Sequence, residues 1–197
     1  MDNNTIKYYN DNSEKFINST LNVNMSELYT LFQKHVKSGC TILDFGCGSG
    51  RDSKYFIEQG YHVIAIDGSK ELCKKASQYI GQPVEEILFN QLSYTNKFDG
   101  IWACSSMLHV DIEELPDIFK RLYEALKPSG IIHTSFKYGN FSGNRSGRYF
   151  CDFTEDSIRK LLVNVYGLNI IEILISDDVR QGHEDEKWLN VIIKKIR

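Results

Sequence analysis

The run Thr41-Ile42-Leu43-Asp44-Phe45-Gly46-Cys47-Gly48-Ser49-Gly50-Arg51-Asp52 decides how the chain folds. Ile42 to Phe45 is a short apolar run that stops at three alternating glycines, and helical spacing begins directly after them. The pattern predicts strand, tight turn, helix. Alternate glycines permit positive φ and let a ligand reach the backbone without meeting a Cβ. The N–H groups of such a turn, facing a helix start, make a site for part of a nucleotide.

Two nucleotide loops share this outline, and side chains separate them. In the dinucleotide fingerprint a third Gly or Ala packs the helix onto the strand, and the loop cradles a doubly charged pyrophosphate. Here Arg51 stands three after Gly48 and is too bulky for that packing. Asp44, two residues before Gly46, repels a pyrophosphate and attracts an ammonium group. The loop is therefore expected to take a cationic, phosphate-free ligand.

The string Leu43-Asp44-Phe45-Gly46-Cys47-Gly48-Ser49-Gly50 resembles motif I of class I S-adenosylmethionine-dependent methyltransferases. The resemblance implies an α/β fold, a doubly wound Rossmann-like seven-stranded sheet, mostly parallel with an antiparallel last strand and helices on both faces. It implies S-adenosyl-L-methionine as cofactor and no metal. The Gly50-Arg51-Asp52-Ser53 continuation and the compact size are similar to small bacterial methyltransferases of the type 11 and tellurite-resistance-like groups, which mostly act on small molecules.

With 197 residues and 42% hydrophobic content, the chain is expected to form one domain, 1–197, with 1–40 as a helical lid and 41–197 as the core. A net charge of −3 and a pI near 6.0 give no basic footprint, which disfavours nucleic acid as a partner. The five scattered cysteines, none spaced C-x-x-C, argue for reduced thiols and a cytoplasmic location rather than disulfides or a zinc site. The N-terminus Met1-Asp2-Asn3-Asn4 is polar, and no apolar run reaches the ~20 residues that cross a membrane.

Residues 1–40 read as two helices, the second opened by an Asn24/Glu27 capping box. The tyrosine-bearing segment around Tyr8 and Tyr9 matches, by resemblance, a lid over the cofactor; an ordinary amphipathic helix is the other reading. Further on the sequence predicts a helix over 52–59, a strand over 61–67, a helix over 69–79 and strands over 84–89 and 98–103. A long helix then carries Ile112, Leu115, Ile118, Phe119, Leu122 and Leu126 on one face. It stops at Lys127-Pro128-Ser129-Gly130, and strand 131–136 follows. The stretch 137–151 reads as a polar loop before a helix from about Thr154. Strand-like runs 168–175 and 188–196 close the chain without a helix between them, which implies a final antiparallel strand.

Asp67 ends the second strand, followed by Gly68 and Ser69, where a carboxylate accepts both ribose hydroxyls; capping the next helix would use the same residue type. Leu88, Phe89 and Asn90 fall where the family holds adenine, with an amide replacing the commoner acidic residue; Phe89 as plain core is the alternative. By the same resemblance Gly46, Cys47 and Gly48 form the cradle, Asp44 and the Gly46 backbone hold the cofactor amino group, and Arg51 neutralises its carboxylate. Strand four runs into Cys104 and Ser105, which should face cofactor and substrate at the point where strand order reverses. His109 is the candidate general base, or else a hydrogen-bond partner of the cofactor or the next helix. Arg148 and Tyr149 are candidates for clamping an anionic acceptor and stacking on a ring. The charged stretch 180–188 reads as a solvated hairpin loop anchored by Trp188.

No Asn/Asp-Pro-Pro-aromatic run follows strand four, which disfavours exocyclic-amine methylation of nucleic acid, and no Pro-Cys pair supports cytosine-C5 chemistry. The expected activity is methyl transfer to a small molecule. A nicotinamide-dependent oxidoreductase and a non-catalytic S-adenosylmethionine-binding protein are the alternatives.

Overall fold

The seven-stranded sheet that the glycine run anticipates is present in the computed structural model, which describes residues 3–180, 182–183 and 185–196. Met1 and Asp2 of the polar start, Gln181 and Glu184 of the charged loop, and Arg197 lie outside the described residues. Three helices precede the sheet where two were expected: α1 (Asn3–Asp11), α2 (Ser13–Thr20) and α3 (Ser26–Gln33). The first two part at Asn12, whose φ of −116° leaves the helical range and makes it the N-cap of α2. The Asn24/Glu27 capping box does not form. Asn24 Oδ1 instead accepts the Ser26 N–H at 3.0 Å, the two-residue reach that a short amide side chain favours, and Met25 is the N-cap.

The core runs β1 (Thr41–Phe45), α4 (Arg51–Glu58), β2 (His62–Asp67), α5 (Lys70–Ile80), β3 (Val84–Glu86), β4 (Phe98–Ala103), α6 (Leu115–Ala125) and β5 (Leu126–Lys137). A hairpin, β6 (Ser142–Arg145) and β7 (Arg148–Cys151), then leads to α7 (Glu155–Val163), β8 (Leu168–Asp177) and β9 (Lys187–Lys195). Ser69 caps α5 by accepting the Leu72 N–H at 3.2 Å, and Gly81 ends it at φ +75°. β3 is shorter than expected because Phe89–Gln91 coil into a 3₁₀ turn. β5 starts earlier: Leu126 pairs with Phe98, and the register then jumps to Gly100↔Ile131, so the Lys127–Gly130 turn is looped out of a continuing strand. The stretch expected as a polar loop is in part the β6/β7 hairpin, turned by Ser146 (φ +50°) and Gly147 (φ +79°), two positive φ values as a tight hairpin requires.

Strand order is β3-β2-β1-β4-β5-β9-β8. Every neighbouring pair is parallel except those that β9 makes with β5 and β8, so the last strand in sequence enters antiparallel between them. One face packs Phe45, Phe98, Phe119 and Ile132 in one core; the other packs Ile42, Phe32, Phe56 and Trp102 beneath α3 and α4. Each such fully buried side chain stabilises by about 1.5–3 kcal/mol. The order reverses between β1 and β4, and the crevice outside the carboxyl ends of those strands is where an open α/β sheet binds ligand.

Candidate active site

Three glycines give the loop after β1 its shape. Gly46, Gly48 and Gly50 have φ of +84°, +55° and +80°. A Cβ on Gly46 would stand 2.6 Å from Ser106 Cβ, so no other residue fits there. The N–H groups of Gly46 and Cys47 both donate to the Ile66 carbonyl at 2.9 Å, which pins the loop to β2, and Cys47 is buried with its thiol pushed well above its usual pKa by burial. The Gly48 N–H donates to Asp67 Oδ2 at 2.9 Å, and the Ser69 N–H to Asp67 Oδ1 at 2.8 Å. Asp67 therefore sits at the rim of the cradle with both oxygens fixed. Burial raises its pKa against the pull of those backbone donors.

The cradle is covered. Phe16 of α2 lies 3.0 Å from where a Gly48 Cβ would be, and Ile6 of α1 lies 2.7 Å from the equivalent point on Gly68. Asn10 accepts the Ser69 hydroxyl proton at 2.7 Å. Beneath this cover a cleft of about 40 Å³ remains between Asp67, Gly68, Leu72 and Phe89. Phe89 is buried and stacked on Phe45 with centroids 4.1 Å apart, so it is core and also a wall of the cleft. Leu88 approaches the Gly68 position at 3.2 Å, whereas Asn90 is exposed and lines neither this cleft nor the larger cavity.

Asp44 and Arg51 both bond within the chain, and Arg51 also lines the larger cavity beside the glycine loop. Asp44 is only 2% exposed, accepts the Ser53 hydroxyl proton at 2.6 Å, and lines neither the cleft nor the larger cavity. Burial, and then the charge of Asp52, pushes its pKa up to about 8. Arg51 is held by a neighbour: Nε and Nη2 grip Asp52 at 2.6 and 2.8 Å, and Nη1 donates to the Thr20 carbonyl at the end of α2. Asp52 also accepts from the Tyr29 hydroxyl at 2.6 Å and the Trp102 indole at 2.8 Å. Burial alone would raise the Asp52 pKa, but the Arg51 guanidinium and these donors bring it below the usual value. The sequence reading did not single out Asp52, because its partners come from α3 and β4.

Beyond the cradle opens a cavity of about 310 Å³, at the lower end of small-molecule sites. Cys104 and Ser105 stand at its junction with the loop. Burial pushes the Cys104 thiol up to about 12, so it is an unreactive lining group. Ser105 has φ +53°, a left-handed strain at the end of β4, fixed by its N–H donating to Ser135 Oγ at 2.7 Å. Lys137 of β5, Asp178 just after β8 and Asn190 of β9 complete the far wall, from segments the sequence had not connected with the site.

His109 lies 3% exposed at the same junction, and burial lowers its pKa to about 4. Its Nδ1 is 2.7 Å from the Tyr149 carbonyl, which can only accept, so Nδ1 carries the proton and Nε2 has the lone pair. The Tyr9 hydroxyl, 2.8 Å from Nε2, is then the donor, and Arg148 Nη1 donates to the Tyr9 oxygen at 3.1 Å. Tyr8 lies under the Arg148 guanidinium at 4.5 Å. Tyr149 contributes its carbonyl rather than its ring; the ring hydroxyl is bonded to Ser142 at 2.7 Å and lines neither cavity. The structure thus brings His109, Tyr9 and Arg148 together, and leaves Asp44, Asn90 and the Tyr149 ring out.

The donor set suits S-adenosylmethionine. A glycine cradle accepts close approach, Asp67 offers carboxylate oxygens, and the groups that fill the cradle belong to the separate helices α1 and α2. Residues 42–130 match the family model described as a methyltransferase domain. Ubiquinone biosynthesis O-methyltransferase of Xylella fastidiosa is 37% identical over 111 residues, covering 50% of this chain and 42% of that protein. Phosphoethanolamine N-methyltransferase 1 of Zea mays is 32% identical over 169 residues, covering 82% and 33%. The chain spans less than half the length of these curated relatives. Among solved structures, Burkholderia thailandensis 1,6-didemethyltoxoflavin-N1-methyltransferase, crystallised with 1,6-didemethyltoxoflavin and S-adenosylhomocysteine, superposes with a TM-score of 0.78 at 21% identity, covering 98% of this chain and 85% of that one. At that identity the likeness speaks for the fold. Among the described residues no helix is long and apolar enough to cross a membrane.

Proposed function

We propose that this chain, which carries a class I S-adenosylmethionine-dependent methyltransferase domain over residues 42–130, transfers a methyl group to a small-molecule acceptor held in the cavity beside His109. The observation that carries the reading is the adjacency of two unlike spaces. A small cleft that ends at Asp67 and a larger cavity share the glycine loop at Gly46 and Gly48, and Ser105 and a neutral His109 line both.

When bound, S-adenosylmethionine supplies an electrophilic methyl on a sulfonium. The chain supplies the rest. Asp67 is the acceptor for the ribose hydroxyls, Gly46 to Gly48 allow close approach, and Gly68 with Leu88 and Phe89 borders the adenine. The cleft of about 40 Å³ is too small for a nucleoside, so α1 and α2 move aside to admit it. Most of the acceleration comes from lining up donor and acceptor, and His109 Nε2 is placed to take the acceptor's proton.

The nicotinamide alternative is disfavoured by Arg51 at the helix start and by the antiparallel β9, which replaces a further crossover helix. We include in the proposal a cytoplasmic location, from five unpaired cysteines, and a place in the small bacterial type 11 and tellurite-resistance-like groups, from Gly50 to Ser53. Incubation with S-adenosylmethionine and a panel of thiol, amine, hydroxyl and carboxylate acceptors tests the reading. S-adenosylhomocysteine formation above the acceptor-free rate supports it. Tight cofactor binding with no turnover on any acceptor would favour a non-catalytic binding protein.

A further inference from the structure

The Tyr9 hydroxyl occupies the one place from which an acceptor can reach the lone pair of His109. It donates to Nε2 at 2.8 Å and accepts from Arg148 at 3.1 Å. Its ring belongs to α1, a cover that must move for ligand to enter. Arg148 has no carboxylate partner among the described residues, and its Nε is buried without a hydrogen-bond partner. The other arginines and the lysine in the wall are already matched: Arg51 with Asp52, Arg145 with Asp152, and Lys137 and Arg180 with Asp178.

We propose that the acceptor is an acidic hydroxyl, a phenol or an enol, and that the Tyr9 phenol stands in its place between His109 Nε2 and Arg148 while the cover is down. This rests on the methyltransferase reading above. A hydroxyl here meets a base that takes its proton and a guanidinium that stabilises the oxyanion left behind. An ammonium in the same position would face the like charge of the Arg148 guanidinium. In the transfer, the acceptor O–H proton passes to His109 Nε2, the oxygen lone pair forms the new O–CH₃ bond, and the S–CH₃ pair stays on sulfur as a thioether. The imidazolium then returns its proton to water. Tyr9 is spared methylation only while the cradle beside it is filled by Phe16 and Ile6, which exclude the donor.

The test uses 4-nitrophenol, whose phenolate absorbs visibly, and 4-nitroaniline as its amine counterpart, each titrated into the full chain alone, where the cover is down. Tyr9→Gly vacates the phenol's place, so 4-nitrophenol should bind about tenfold more tightly than to the parent chain, the size of one hydrogen bond to a charged group. The bound probe should ionise at a pH at least about one unit below the free probe. Arg148→Gln or His109→Gln in the Tyr9→Gly background should abolish that shift, and 4-nitroaniline should gain nothing from Tyr9→Gly. Equal gains for both probes, or an unchanged ionisation, would overturn the proposal. If Tyr9→Gly does not fold, Tyr9→Ala vacates the same place and keeps helix propensity in α1, and failure of 4-nitrophenol to tighten there would overturn it equally. Calorimetry with S-adenosylhomocysteine on the same samples separates the two levels, because its failure to bind would sink the methyltransferase reading itself.

Discussion

Replacing Asp52 by alanine should be among the costliest single changes in the molecule. The carboxylate accepts four hydrogen bonds, two from Arg51, one from Tyr29 and one from Trp102, at 2.6 to 2.8 Å. Its side chain is 9% exposed and that of Arg51 18%. Removing one partner of a buried pair costs about 3–5 kcal/mol because the remaining charge is left without compensation. Each orphaned neutral donor adds up to about 1–3 kcal/mol. These contributions overlap, and the partial exposure of Arg51 lets water replace some of what is lost, so we expect about 4 kcal/mol. Against a typical total of about 5–15 kcal/mol that is a large fraction. With a urea slope of about 2 kcal/mol per molar, the midpoint should fall by about 2 M. Asp52→Asn, which still accepts, should lose about half as much. Adding Arg51→Met to Asp52→Ala should recover stability, since the stranded guanidinium is then gone. A midpoint shift under about 0.5 M for Asp52→Ala, or no recovery in the double variant, would refute this account of the network.

Asp44 gives a pH signature. A carboxyl raised to about 8 in the folded chain keeps its proton there after the unfolded chain has lost it, so stability should fall as pH rises from about 4 to 8 and level off beyond. Asp44→Asn should flatten that decline in urea titrations; a decline unchanged in the variant would show that Asp44 is not its source. His109 and His133, both lowered to about 4 by burial, act on the other side: the unfolded chain takes up their protons first, so stability should fall as pH drops from about 6.5 to 4. His133→Phe should lessen that acid loss in the same titration, and an undiminished loss would contradict it. Gly46→Ala should impair both fold and cradle, because its Cβ would meet Ser106 at 2.6 Å and its φ is +84°. A thermal midpoint equal to that of the parent would contradict the packing described.

The alternation of elements was readable because it is local. The apolar runs of β1, β2 and β4, the Ser69 cap, the Gly81 stop and the helix-free link between β8 and β9 each carry their signal within a few residues. The cradle at Gly46 to Gly48 followed from the alternating glycines, and the seven-stranded sheet from the resemblance. The β6/β7 hairpin was missed although Ser146-Gly147 marks its turn, because each strand is only four residues long and β6 is wholly polar. Asp52 was missed for another reason: it reads as an ordinary acidic residue in the first turn of α4, and its partners lie 23 and 50 positions away. The burial of Asp44 against Ser53 was not legible, because it depends on how α4 docks on β1. His109 was legible as a base candidate, while its tautomer depended on a carbonyl 40 positions distant.

The central claim, that the loop after β1 and the carboxylate ending β2 form a nucleoside cradle, is tested most directly by calorimetric titration of S-adenosylhomocysteine into the chain and into Asp67→Ala. The account predicts micromolar binding to the parent. In the variant, two lost hydrogen bonds to a charged group, each about 1.5–3 kcal/mol, should weaken it by well over tenfold. No heat with the parent chain, or equal affinity for the variant, would contradict it.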